Sequence, residues 1–438
     1  MPGAERREDI ALLARGATLL VNNGLGQGLG FLASIAISRL LGVRGFGEYA
    51  TVMAMIFVAT VAAEAGIEAS LTREIARDPA RSRSLLAASV RAKAAVGGGL
   101  AVLLALGPVA AFLAPGSGSV GAVRLAGILL TLNTVNSSFS AVFRAWGRMD
   151  VVLGINLAGQ VAQLAGVVAV LLATPSVTAV VAWFTVVQLA ELAAGWVLFR
   201  RGEPPRAPGA RIATGGRDTA AALVRRSLPF ALAGILGTLE LRVDLFLVQA
   251  VCGAVVVAAY SVAMRLHEVL GLVPNSLFAA LFPALSAAHG ETGSAQGERL
   301  YGRALRFVLA LGGVAAVGGL LFADFLVRVT FGPTYAPAVT PLRILAVMLV
   351  PLLANRTTTL HLYASGRERR ANAFEVVNLA LRAGLGWMFV TRWGAAGAAW
   401  ANLAAETIVL ATYALTGAMR VSAPADASRC ADARKAVG

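Results

Sequence analysis

Three arginines carry the chemistry this sequence could do. Arg242, Arg265 and Arg356 each lie inside a long apolar stretch. Arg242 stands about 15 residues into its stretch and Arg265 about 11 into the next, near the middle of a bilayer-length helix at 1.5 Å per residue. Arg356 is similarly central in a third. A charge at that depth costs at least about 2.5–3.5 kcal/mol on insertion scales, so it faces a wet cavity or a partner. A guanidinium stays charged there, and its planar fork grips phosphate oxygens bidentately. Holding an anionic group is therefore the chemistry these residues would serve. The plainer reading pairs Arg242 with Glu240 or Asp244, Arg265 with Glu268, and Arg382 with Glu375, as staples between helices. Both readings stay open for each residue. Glu64, His267, Glu268 and Asp244 could also couple a proton or a cation, or simply pair, and Arg343 sits near an edge where its side chain can snorkel.

The elements that must position these groups follow from composition. Of 438 residues, 58% are apolar and 14% charged, and the mean hydropathy is +0.74. Soluble domains are nearer a quarter charged. Crossing a bilayer takes about 20 mainly apolar residues. Twelve spans are predicted, near 17–41, 49–67, 94–114, 122–143, 151–173, 177–199, 227–250, 254–284, 307–328, 341–363, 372–391 and 395–417. Thr174-Pro175-Ser176 and Pro115-Gly116-Ser117-Gly118 mark turns. The fold class is all-α and polytopic.

Lys+Arg number 38 against 23 Asp+Glu, a net charge of +15. With the N-terminus inside, 28 of these basic residues fall in cytoplasmic segments and 5 in outside loops and edges. That asymmetry predicts a cytoplasmic-membrane protein with both termini in the cytoplasm. The basic charge thus serves topology, and no nucleic-acid partner is expected. Residues 1–16 mix charge signs and the following apolar run is too long for a signal peptide, so the first span is expected to persist.

A repeat divides the chain. Leu41-Gly42 precedes Tyr49 as Cys252-Gly253 precedes Tyr260, and Ala145-Trp146-Gly147-Arg148 matches Ala364-Ser365-Gly366-Arg367. Each pair of motifs joins equivalent spans, so the halves insert with the same orientation as a parallel pseudo-twofold repeat. The expected organisation is a six-helix lobe over 1–199, a Pro/Gly-rich cytoplasmic linker over 200–226, a second lobe over 227–417, and a tail over 418–438. Cys252 and Cys430 fall on opposite sides of the membrane. No Walker motif, catalytic triad or metal-ligand spacing occurs, so no catalytic residue, cofactor or metal is expected. The glycine runs at Gly24–Gly30 and Gly97–Gly99 read as close helix approaches.

The run Ser38-Arg39-Leu40-Leu41-Gly42-Val43-Arg44-Gly45-Phe46-Gly47-Glu48-Tyr49-Ala50, with Glu64-Ala65-Gly66-Ile67 and Thr72-Arg73-Glu74-Ile75-Ala76, resembles the opening of polysaccharide (O-antigen type) flippases. These belong to the multidrug/oligosaccharidyl-lipid/polysaccharide (MOP) exporter superfamily. Glu64 stands where that family usually has Asp. Arg242-Val243-Asp244 and the stretch from Tyr260 through Arg265, Glu268 and Pro274 to Phe282-Pro283 resemble its second half. The resemblance implies an alternating-access flippase that moves a polyprenyl-pyrophosphate-linked glycan outward, not an enzyme. Arg242, Arg265 and Arg356 are its candidate substrate-binding residues. Glu240, Asp244, Glu268, His267, Glu375, Arg382 and Glu64 are candidates for ion coupling or pairing. Expected partners are the lipid-linked glycan, the bilayer, and a glycan polymerase or glycosyltransferases, with the protein a monomer. Two other readings stand beside it: an ion-coupled multidrug exporter of the same superfamily, and a non-transporting scaffold of a glycan-assembly complex.

Overall fold

In hydrocarbon a chain must satisfy its backbone polar groups internally, and apolar runs of this length do so as helices. A computed structural model describes residues 2–64, 66–106, 120–202, 237–272 and 294–417, with isolated positions between 273 and 293; the side chains of 2–23, 294 and 295 lie outside the description. Its helices are α1 (Pro2–Glu64), α2 (Ile67–Arg77), α3 (Ser82–Leu106), α4 (Val120–Ala145), α5 (Met149–Ala173) and α6 (Val177–Arg201). They continue with α7 (Val243–Cys252), α8 (Ala254–Leu270), α9 (Ser294–Thr330), α10 (Val339–Ala364) and α11 (Glu368–Leu415). No strand occurs among the described residues.

Among the described residues, eight helices are long and apolar enough to cross a membrane. Two of them are too long for one crossing: Gly24–Glu64 has 41 residues and Glu368–Leu415 has 48. Each is broken at a glycine, Gly42 (φ 69°) and Gly394 (φ 53°), in backbone that a residue with a Cβ adopts only at a cost. The breaks fall between the first and second, and the eleventh and twelfth, expected spans. The Thr174–Ser176 turn is present, with Ser176 Oγ accepting from the Ala179 amide at 3.1 Å. The 115–118 turn, residues 203–226 of the expected linker, and the tail from 418 lie outside the described residues.

The chain divides into two compact units, Met1–Ala258 and Ala259–Gly438. In the first, α3 packs on α4 and α4 on α6, while α5 packs on α1 and α6. Small residues let these helices approach: a Cβ on Gly127 would meet Ala101, and the Ser89 and Ser138 hydroxyls bond at 2.9 Å. The short α2 presents Ile67, Leu71 and Ile75 along one stripe to a core that includes Leu85, Phe143 and Trp146. In the second unit α10 packs between α9 and α11, with Gly312 against Leu353 and Gly319 against Ala346.

The repeat has a backbone signature. Gly42 and Gly253 share one conformation, φ 69° and ψ −179° against φ 77° and ψ −179°. Gly147 and Gly366, at φ 72° and 73°, end α4 and α10 alike. The Arg148 amide donates back to the Phe143 carbonyl and the Arg367 amide to the Leu362 carbonyl, both at 2.8 Å. These are the six-to-one bonds of a helix stop built on a left-handed glycine.

Candidate functional site

Arg242 stands at a break. The expected seventh span is not one continuous helix: residues 237–240 are helical, Leu241 and Arg242 form a turn, and α7 starts at Val243. Arg242 occupies the position just before the first turn of α7, whose free amides carry partial positive charge. Its guanidinium carbon lies 5.1 Å from the centroid of the Phe57 ring. Its Nε is buried and has no hydrogen-bond partner among the described residues. The pairing with Glu240 or Asp244 allowed by sequence is not made among the described residues. Asp244 is buried and its Oδ1 instead accepts from the Leu245 amide at 2.7 Å. Glu240 is half-buried one turn before.

In the second unit, Arg265 donates to Glu268 Oε2 at 3.0 Å, both side chains being about 40% exposed (42% and 41%). This is the (i, i+3) pair expected from spacing. Arg356 is exposed on α10, as is Arg343 nearer that helix's start. His267 is buried, hydrogen-bonds the Leu345 backbone, and has Arg356, Arg382 and Glu406 as its electrostatic neighbours.

The partner expected for Arg382 is corrected. Arg382 donates to Glu406 Oε1 at 2.6 Å, rather than to Glu375 seven residues before it. Arg382 and Glu406 each lie twelve residues from the break at Gly394. The two arms of α11 fold back antiparallel, so residues equidistant from the turn meet, about 18 Å below it at helical rise. Asn378 Nδ2 joins the same oxygen at 3.2 Å, and Asn355 Nδ2 reaches Glu406 Oε2 at 2.7 Å. All four side chains are buried. Next to this network the Asn402 amide donates to the Tyr260 hydroxyl at 2.9 Å.

The first unit holds a charged group that loop counting misses. Lys93 scores as a cytoplasmic basic residue by sequence, yet it is wholly buried on α3 and donates to Ser137 Oγ. The local signal was the small polar set Ser89, Ser137 and Ser138, which leaves room for an amine between α3 and α4. Glu68 pairs with Arg144, and a cavity of about 580 Å³ is lined by Glu64, Glu68, Thr72, Arg73 and Arg144. Burial raises the Glu68 carboxyl above its usual range, with Arg144 opposing the shift and Glu64 adding to it. Deeper in the unit, Asn136 Nδ2 donates to Glu191 Oε2 at 3.0 Å. No group of three or more His, Cys, Asp or Glu is gathered for a metal ion among the described residues.

The family described as polysaccharide biosynthesis protein matches residues 12–289. No curated protein gives a significant match. Among solved structures, the chain is similar to a multidrug resistance MATE family transporter of the MOP superfamily in its inward-facing conformation. The TM-score is 0.72 at 16% identity, covering 90% of this chain and 94% of that one. It is similar to the lipid II flippase MurJ in an inward closed conformation, with TM-score 0.70, 13% identity, and 91% and 87% covered. A MOP superfamily transporter from Pyrococcus furiosus, described as having a binding pocket of reverse polarity, gives TM-score 0.61 at 15% identity over 93% and 94%. At these identities the likeness fixes the fold, the two-lobe, twelve-helix architecture of MOP transporters.

Proposed function

We propose a function from one premise: the chain belongs to the polysaccharide biosynthesis protein family. Its role is to carry a polyprenyl-(pyro)phosphate-linked oligosaccharide across the cytoplasmic membrane by alternating access. The observation that carries this reading is Arg242, a guanidinium at membrane depth with no carboxylate partner among the described residues and a helix N-terminus behind it. An anionic diphosphate complements both, because charge-assisted bonds to a guanidinium and to free amides are the strong kind. Arg265, whose ion pair with Glu268 is half open, and the exposed Arg356 are the other candidate phosphate ligands. Arg382 is excluded from that set, since Glu406 already holds it.

The charge asymmetry supports a cytoplasmic-membrane protein with both termini inside. The glycosyltransferases that build the glycan and the polymerase that extends it are the partners this role requires, and the transporter acts as a monomer. An inside-negative potential would assist, since each charge moved through 100 mV is worth about 2.3 kcal/mol and a diphosphate carries about two.

The test measures surface glycan and lipid-linked intermediate in cells whose only copy carries Arg242→Gln, Arg265→Gln and Arg356→Gln. Intermediate should accumulate on the cytoplasmic side, with glycan export reduced about tenfold or more. Arg343→Gln should export normally. Normal export by the triple variant at normal protein level would overturn the reading, as would drug resistance conferred without any effect on glycan.

A further inference from the structure

A cavity of about 1180 Å³ in the first unit lies between α3, α4 and α6, and Arg242 is not among its lining residues. Its composition changes along its length. Arg83 is one residue into α3 and Arg200 one residue from the end of α6, so both stand at the same membrane face. The Arg91 backbone is two turns further along α3, about 12 Å deeper, but its side chain turns back toward the helix start, Nε donating to the Ala87 carbonyl. Between and below the arginines the wall is apolar. Trp196 is five residues from the end of α6 and Phe139 six from the end of α4, and Val135 lies deeper, ten residues or about 15 Å from that end. Leu189 and Trp196 on this wall are 49% and 46% exposed.

No carboxylate lines the cavity among the described residues, and none pairs with Arg83, Arg91 or Arg200. Arg91 Nε donates only to the Ala87 carbonyl one turn back, at 3.1 Å, and Arg200 lies over the Trp196 ring at 4.8 Å. Both contacts leave guanidinium N–H groups for another acceptor. Three positive charges with no carboxylate partner among the described residues, at the surface end of a concave apolar wall, match one kind of molecule: an anionic headgroup carrying hydrocarbon chains.

We infer that this groove is a binding site for an anionic phospholipid, its phosphate held by Arg83, Arg91 and Arg200 and one chain lying along Phe139, Val135 and Trp196. An interfacial tryptophan is suited to the boundary between headgroup and chain. The ligand chemistry stands on the groove itself; only the leaflet, the inner one, rests on the orientation proposed above. Such a lipid would fill the gap between three helices and fix their packing in the membrane.

The test uses the purified full chain and native mass spectrometry with equal amounts of phosphatidylglycerol and phosphatidylcholine bearing identical chains. The wild type should retain the anionic lipid at least about tenfold better, since three basic contacts allow up to about a hundredfold. Arg83→Gln with Arg91→Gln and Arg200→Gln should bring the ratio close to one, while Arg369→Gln with Arg370→Gln leaves it unchanged. Ala193→Trp keeps every arginine but fills the groove, and should also lose the preference; it stands in if the triple variant fails to fold. Equal retention of the two lipids by the wild type overturns the site. So does an undiminished preference in the triple variant or, where that variant does not fold, in Ala193→Trp. Displacement of phosphatidylglycerol by an equal amount of polyprenyl phosphate overturns the phospholipid assignment, without touching the transport reading.

Discussion

Arg382 and Glu406 meet at 2.6 Å in the interior of the second unit, each twelve residues from the same glycine break. Their side chains are 8% and 2% exposed, and two asparagine amides complete the carboxylate's hydrogen bonding. A built-in guanidinium thus occupies the ligand sphere that a transported cation would need at Glu406. Removing one partner leaves an uncompensated buried charge, so Arg382→Met or Glu406→Leu should each destabilise by about 3–5 kcal/mol. The double variant should recover a large part of that loss. Thermal unfolding in one detergent measures all three, and a double variant worse than the sum of the singles would contradict a paired origin. Export should also persist when sodium is replaced by choline outside the cell; its abolition would show that sodium drives transport despite the guanidinium held at Glu406.

The helix stops at Gly147 and Gly366 share their φ and their closing bond. Alanine in a left-handed position costs about 1–2 kcal/mol. Nothing lies within 4 Å of a Cβ at either site, so strain alone sets the penalty. Gly147→Ala and Gly366→Ala should therefore lower the melting temperature by similar amounts. Unequal losses would mean that the two motifs match in sequence but not in energetics.

Gly47 differs in kind. A Cβ there would run into the Ala254 carbonyl, and next to it Thr51 Oγ1 lies 3.1 Å from Gln249 Oε1. Gly47→Val must push backbone away, whereas Gly98→Val meets open space. The first should lower protein yield or export sharply, and the second should stay within about 0.5 kcal/mol of wild type. Equal tolerance at the two positions would show that the α1 contact with Ala254 is dispensable.

These particulars divide into what sequence discloses and what it does not. Gly42, Gly147, Gly253 and Gly366 were legible because a turn between spans needs a residue without Cβ, and the same need recurs half a chain later. The Arg265–Glu268 pair was legible because three residues is one helical turn. Arg382–Glu406 was not. The reversal between the eleventh and twelfth spans is expected, but a partner across it is set by how the returning arm is rotated and registered, which spacing along one helix does not give. Lys93 was misread for a related reason: counting loop charges assumes that a lysine near a helix end reaches water, while Ser137 gives this one a buried acceptor. The break at Leu241–Arg242 is invisible to hydropathy because both flanks are equally apolar.

Glu68 gives a pH test outside the membrane spans. Its carboxyl is raised in the fold, so the folded protein holds a proton that the unfolded chain has already lost just above the ordinary carboxylate value. By linkage, stability from this group is present at low pH and is lost as pH rises through the folded value. Melting curves should show that decline in the mildly acidic range above pH 4.5, the usual glutamate value. Glu68→Gln should flatten it, also removing the opposing attraction to Arg144. A decline of the same size in the variant would assign it to another carboxylate.

Arg242 offers the sharpest separation between a held anion and a static contact. Arg242→Lys keeps the positive charge but loses the planar fork and much of the stacking on Phe57. Arg242→Gln loses the charge as well. If the residue grips a diphosphate, export should fall in the order Arg, Lys, Gln, because a point charge still attracts phosphate without binding it bidentately. If its role is only to cover Phe57, Lys and Gln should behave alike, and Phe57→Leu should mimic both. Initial rates of lipid-linked glycan translocation into vesicles, corrected for protein amount, decide between the two. Arg242→Gln matching Arg242→Lys would remove Arg242 from the substrate path.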